Sequence, residues 1–243
     1  MSEQFKKIAF LAPRPGLDDQ AFRRYWLETH GPLVAASPGY ASYRQRYVQN
    51  HILAPGPVGI RFAFAGMAEF WLPGDNEDIF ASTSIYRDRI RVDEIKFIDM
   101  QGTVSLTALE NVVKPGRGRA KLVVLAGRKG ELSLSEFHRQ LATDYALSAL
   151  RVPGLDQRLR GWRVDHVVEG SFRLPGARPV TALQIDCIQS FWFDSGAEMD
   201  AAFACLGDAV RAGEVHDDIF SAANSWSFQA EERVFFDQGR SLV

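Results

Sequence analysis

The sequence predicts an α+β fold made of two ferredoxin-like modules in tandem, each with elements in the order βαββαβ. Three observations carry this expectation. The chain repeats itself, both copies run through the same succession of strand and helix patterns, and a short breaker-rich stretch separates them. Residues 17–51 lie over residues 132–166 without a gap, with identities at Leu17/Leu132, Phe22/Phe137, Arg24/Arg139, Pro38/Pro153, Gly39/Gly154 and His51/His166. Composition alone would give about two matches in such a window.

In the first copy, Lys7 to Ala12 is a short apolar strand. Asp18 then serves as an N-cap, with Leu17 before it and Phe22 four residues after it, the spacing of a hydrophobic staple. Pro38-Gly39 breaks the chain after this helix, because proline cannot continue a helix and glycine takes up the turn that follows. A second strand runs to His51, and Met67 to Leu72 forms a third. Asp75 to Ile90 carries Ile79 and Phe80 at helical spacing, and Gly102 to Val113 is a fourth strand. The second copy repeats the series: Lys121 to Ala126, a helix capped by Ser133 with Glu136 completing a capping box, Pro153-Gly154, a strand ending at His166, Ile188 to Phe193 sharing Phe-Trp with its counterpart, a helix over Gly196 to Val210, and Ser225 to Phe236. The linker Lys114-Pro115-Gly116-Arg117-Gly118-Arg119 divides the chain into modules at 1–113 and 120–243. A single doubly wound α/β domain would need steady strand-helix alternation and a Gly-rich phosphate turn, and the sequence has neither. An exposed four-stranded face must be covered, so the two copies are expected to lie sheet against sheet.

The 243 residues are 46% hydrophobic and 24% charged, an ordinary globular composition. A formal charge of -2 argues against a nucleic-acid or acidic-membrane partner. Cys187 and Cys205 lie in no metal-ligand spacing and make no disulfide framework, which points to a reducing compartment. With no leader-like N-terminus and no apolar run of about 18 residues, the expected location is cytoplasmic, with no membrane span. Nucleophile-elbow, zincin and Walker motifs are missing, and the five histidines offer no local metal pair.

The first copy resembles the EthD family of the dimeric α+β barrel superfamily. The resemblance lies in Arg14-Pro15-Gly16-Leu17, Phe22-Arg23-Arg24-Tyr25-Trp26, Thr29-His30-Gly31-Pro32-Leu33, Pro38-Gly39, Tyr47-Val48-Gln49-Asn50-His51 and Asp93-Glu94-Ile95-Lys96-Phe97-Ile98-Asp99. It covers most of residues 6–112. The second copy keeps the frame but has Tyr145 where the first has His30. The resemblance implies that the two modules form one dimeric α+β barrel within a single chain. It also implies small cyclic or aromatic substrates held between helices and sheet, in a superfamily that includes muconolactone isomerases, cofactor-free monooxygenases and haem-using enzymes. No residue stands out as an axial haem ligand.

Phe22, Trp26 and His30 fall at i, i+4 and i+8, on one helix face directed at the sheet. His30 at the end of that face suits proton transfer, because an imidazole ordinarily titrates near neutrality. The alternative is a helix-end histidine bonded to the last carbonyls. A carboxylate from Asp93, Glu94 or Asp99 reaching His30 would orient the ring; the alternative is a solvated cap between helix and strand. His51 and His166 hold equivalent places, either as pocket groups or as a repeated structural hydrogen bond. Strand alternation puts His51 on a face with Tyr43, Gln45, Tyr47 and Gln49. Tyr25, Trp26, Tyr43, Tyr47 and Trp71 are candidates for contacting an aromatic substrate or its phenolic oxygen, or else are core. Tyr145, Asp144 and His166 are candidates for a second polar site. Divergence between the copies favours one working and one scaffolding cleft.

These readings converge on a cofactor-independent, dehydratase-like lyase or isomerase acting on a small cyclic or aromatic metabolite, with His30 moving the proton. A cofactor-free monooxygenase on a phenolic or quinol substrate and a non-catalytic carrier of hydrophobic metabolites are the alternatives. A homodimer of the pseudo-dimer would need a surface other than the one joining the modules.

Overall fold

The computed structural model describes residues 4–57, 63–74, 79–168 and 174–239. Among them are nine strands: β1 (Gln4–Pro13), β2 (Arg46–Pro55), β3 (Gly66–Trp71), β4 (Ile98–Lys114), β5 (Ala120–Arg128), β6 (Gly161–Val168), β7 (Arg178–Pro179), β8 (Cys187–Phe193) and β9 (Phe220–Asp237). Eight of them close into an antiparallel barrel in the order β1-β3-β2-β9-β5-β8-β6-β4, with β4 returning to β1. The short β7 runs parallel beside β4, placing Arg178 opposite Val104.

The expected packing of sheet against sheet is not what closes the molecule. The strand groups β4-β1-β3-β2 and β9-β5-β8-β6 meet edge to edge, through β2–β9 and β4–β6. An edge strand leaves a row of unpaired backbone groups, and barrel closure removes it. The two closing strands, β4 with 17 residues and β9 with 18, are long enough to pair on both sides.

Side-chain alternation sorts the barrel wall into two faces. Inward residues Ile8, Phe10, Met67, Leu106, Val123 and Phe228 fill part of the lumen with apolar packing. Elsewhere in the lumen lie Lys6, Glu69, Lys121 and Asp165, all buried and bound to one another. The outward faces carry the helices. Over the first four strands lie α1 (Asp19–Tyr25), a π turn (Trp26–His30), α2 (Gly31–Ala35), a second π turn (Tyr86–Ile90) and α3 (Arg91–Phe97). Over the second group lie α4 (Leu134–Gln140), a π turn (Leu141–Tyr145), α5 (Ala146–Leu150), α6 (Pro153–Asp156) and α7 (Gly196–Arg211).

Both helix starts form as the sequence suggests. The Asp18 carboxylate accepts from the Ala21 N–H at 2.7 Å, and the Ser133 hydroxyl accepts from the Glu136 N–H at 3.2 Å. Glu136 directs its carboxylate to Arg139 and Gln140, so the reciprocal arm of the capping box is redirected along the helix. Pro153-Gly154 opens α6, since proline fits the first turn of a helix as well as it ends one. The second helix of the first half lies further along the chain than expected. Residues 75–78 fall outside the described residues, Phe80–Ser82 is a single 3₁₀ turn, and the helix runs through α3 to Phe97. Asp93 and Glu94 therefore sit on a buried helix rather than in a solvated connection, and Asp99 lies within β4.

Candidate functional site

Two equivalent π turns, Trp26–His30 and Leu141–Tyr145, widen the first helix of each half at the same point of the repeat. Such single-turn bulges displace one residue from the regular helical face and recur at functional sites. In the first half the turn ends at His30, which is buried. Its Nδ1 meets Asp93 Oδ2 at 2.9 Å, while the Tyr25 hydroxyl donates to Asp93 Oδ1 at 2.6 Å and Lys96 Nζ donates to the same oxygen at 3.2 Å. The Phe97 ring packs against His30 and Tyr25, with centroids 4.9 and 5.1 Å away.

Asp93 and Glu94 are neighbours in sequence whose environments push their acidities apart. Burial raises the Asp93 carboxyl, but hydrogen bonds from His30, Tyr25 and Lys96 outweigh it and bring its pKa down to about 2. Glu94 is raised, chiefly because burial disfavours its anion, although His30, Tyr86 and Arg91 oppose this. The Tyr86 hydroxyl donates to Glu94 Oε2 at 2.9 Å. Burial and the bond to Asp93 push the Tyr25 phenol up to about 12. Separated acidities of this kind make Asp93 the stronger and Glu94 the weaker acid of the pair.

His30 and Glu94 line a cavity of about 50 Å³ between the helices and the outer face of β1, together with Lys7, Tyr40, Arg44 and Tyr86. With Nδ1 held by Asp93, Nε2 is the histidine nitrogen left to meet a ligand. Lys7 and Arg44 were not singled out in the sequence. A signal existed for Lys7, which with Lys6 lies near the start of a strand that is otherwise mostly apolar, but not for Arg44, whose role depends on the chain bending back after α2.

Of the remaining candidates, Tyr25 reaches the site through Asp93 and the others stand apart. His51 Nε2 pairs with Gln49 Oε1 at 2.9 Å, and its ring lies 4.6 Å from that of Trp26. Burial, with help from Arg23 and Arg233, lowers its pKa to about 4. Trp26 is core. Tyr47 stacks on Phe70 at 4.7 Å and accepts from Gln49, and Tyr43 packs on Phe80. Tyr43 precedes β2, so the face it was expected to share with His51 begins only at Tyr47. Trp71 points into the barrel, where its indole donates to Glu110 and lies under Lys6, on the opposite side of the sheet from His30.

The second half has a larger opening of about 560 Å³ between α7 and strands β5, β8 and β9. Tyr145 lines it. Asp144 and His166 do not, so the second polar site expected from these three residues is not assembled. Asp144 is exposed and bonded to Thr143, while His166 lies 4.5 Å from the His138 ring, its pKa lowered to about 4 by burial and by His138. The donor sets do not fit a haem. Among the described residues the larger cleft offers no histidine, cysteine or methionine, and its Tyr145 phenol is raised by burial and by Asp217 away from the phenolate form. The histidine of the smaller cavity is already held by Asp93 in a space far below the size of a macrocycle.

Residues 14–101 match the EthD domain family. No curated protein matches the sequence. A provisionally assigned monooxygenase from Lactobacillus acidophilus has a similar structure, with a TM-score of 0.54 at 9% identity, covering 98% of this chain and 97% of that one. A chlorite dismutase variant from Candidatus Nitrospira defluvii is similar at a TM-score of 0.51 and 9% identity, over 96% of this chain and 91% of that one. At such identities the likeness concerns the fold alone. Residues 14–101 thus carry the likeness to the EthD domain, on an α+β barrel of the kind found in chlorite dismutase-like structures.

Proposed function

We propose that the first-half cleft is a general acid–base site, acting without a cofactor as a lyase or isomerase on a small cyclic or aromatic metabolite. One observation carries the reading: His30 is held through Nδ1 by an ionised Asp93 at the wall of a cavity that also presents Glu94, a carboxyl whose acidity burial weakens. His30 Nε2 takes a proton from a carbon next to a carbonyl or developing phenol. Glu94 gives a proton to the departing hydroxyl or to the rearranged carbon, and Asp93 stabilises the imidazolium formed on the way. Lys7 and Arg44 place positive charge where an enolate or phenolate oxygen develops. A benzene-sized ring needs about 150 Å³, so the side chains around this cavity must part when substrate enters.

The same reading treats residues 1–113 and 120–243 as two ferredoxin-like modules joined by residues 114–119. The matching strand orders β4-β1-β3-β2 and β9-β5-β8-β6 support it. Cytoplasmic action on a small molecule is part of the proposal; among the described residues no helix is long and apolar enough to cross a membrane.

The test is turnover of hydroxylated cyclic ketones and dihydroxylated dihydroaromatics, followed by the ultraviolet absorbance of the aromatised product, in air and under argon. Turnover independent of oxygen is expected, with His30→Gln and Glu94→Gln each lowering kcat by about 10²–10⁴. Strict dependence on oxygen would replace the lyase with a monooxygenase. Ligand binding without turnover, unaltered in His30→Ala, would replace it with a carrier.

A further inference from the structure

The cleft of the second half lacks the imidazole of the first but is about tenfold larger, at about 560 against 50 Å³. Phe191, Phe203, Leu206 and Phe220 make its walls apolar. Two polar groups interrupt them. Gln189 is only 2% exposed, and its Oε1 has no hydrogen-bond partner among the described residues. A buried amide oxygen left unpaired is costly unless a ligand or water completes it. Tyr145, fixed edge-on against Phe220 with centroids 4.9 Å apart, makes no hydrogen bond through its hydroxyl among the described residues.

From this geometry we infer that the second cleft is a binding site for a neutral, ring-sized apolar molecule bearing a hydroxyl, with the ring between Phe191, Phe203 and Phe220 and the hydroxyl at Gln189 and Tyr145. A hydroxyl both donates and accepts, so it satisfies the amide oxygen and the phenol together. Charge selects against anions. Asp217 and Asp218 line the cleft, and the cation beside them, Arg211, is bound to Asp208 at 2.5 Å. The two clefts therefore differ in preference: Lys7, Arg44 and His30 suit developing negative charge in the first, and the second suits an uncharged phenol or alcohol.

The inference is tested by fluorescence titration of the full chain with 2-naphthol, naphthalene and 2-naphthoate, comparing the unaltered protein with Gln189→Leu, Gly207→Phe and His30→Gln. Gly207 lines the cleft from α7, and a Cβ there meets nothing nearer than 3.5 Å, so the phenylalanine fills the cleft without disturbing the helix. Saturable binding of 2-naphthol to one site is expected. It should weaken about tenfold in Gln189→Leu, the worth of one hydrogen bond, while naphthalene binding holds. Gly207→Phe should abolish both, His30→Gln should change neither, and 2-naphthoate should bind most weakly. Should Gln189→Leu fail to fold, Gly207→Phe and the order of the three probes decide alone. Absence of saturable 2-naphthol binding, binding that survives Gly207→Phe, or loss of binding in His30→Gln would overturn the assignment.

Discussion

Replacing Lys6 with methionine should be among the most damaging single changes in this protein, through electrostatics rather than packing. Lys6 is 1% exposed inside the barrel, with Nζ 2.5 Å from Glu69, 2.8 Å from Asp165 and 3.3 Å from Glu110. Burial opposes its charge, but these three carboxylates outweigh burial and hold it protonated. Methionine keeps most of the stem and removes the cation, leaving buried carboxylates short of a partner, which costs about 3–5 kcal/mol. Glu69 retains Lys121 at 3.1 Å and Glu110 retains Arg163 at 3.1 Å, so the uncompensated group is Asp165. Even with Lys6 present, burial pushes Asp165 up to about 7, because it shares its cation with two other anions. The sign of the pH effect follows. The folded chain holds a proton on Asp165 that the unfolded chain releases, so this group's contribution to stability falls as pH rises from 3.8 towards about 7. Urea unfolding at pH 5 and pH 8 should therefore show a smaller loss for Lys6→Met at pH 5, where Asp165 is neutral. Adding Asp165→Asn to Lys6→Met should recover about 2 kcal/mol at pH 8, a coupling expected of groups in direct contact. A loss under about 1 kcal/mol at pH 8, or strictly additive effects in the double variant, would show that Asp165 does not depend on Lys6.

Asp93 is held ionised in the folded state, so its contribution, about 2 kcal/mol for a shift from 3.8 to about 2, is present above pH 4 and lost as pH falls through 2. Asp93→Asn should flatten the acid limb of a urea-midpoint profile between those values, and should lower kcat without abolishing ligand binding. His51 is held neutral, with its pKa lowered from 6.5 to about 4, so falling pH across that window should destabilise the protein by up to about 3 kcal/mol. His51→Phe should remove that slope, as read by thermal unfolding at pH 7 and pH 5. Gly66 lies beneath the Trp26 ring, and an added Cβ would clash with it; Gly66→Ala should cost about 1–3 kcal/mol and lower Tm.

Local sequence was enough to place the strands and the start of each first helix, because alternation and N-cap chemistry act over a few residues. It also placed the repeat, since Asp18 and Ser133 perform the same capping in both copies. The residues that complete the candidate site were less legible. Asp93 was a candidate partner for His30, yet its 2.9 Å contact depends on α3 crossing beside the π turn, 63 residues along the chain, and no periodicity reports a crossing. The charged lumen was visible only as isolated anomalies, with Glu69 and Lys121 each set between apolar neighbours and Lys6 beside a second lysine, Lys7.

The order of elements, the EthD resemblance of the first half and the residue type at the end of each widened helix were legible from the chain alone. Whether the strand groups stack or join was decided by tertiary structure, because backbone groups at sheet edges gain more from pairing with each other than from water. Tertiary structure also decided which half holds the roomier cleft. Volume is the difference between the space spanned by the backbone and the side chains that fill it, and that difference is set by how far α7 stands off its strands, not by any residue alone.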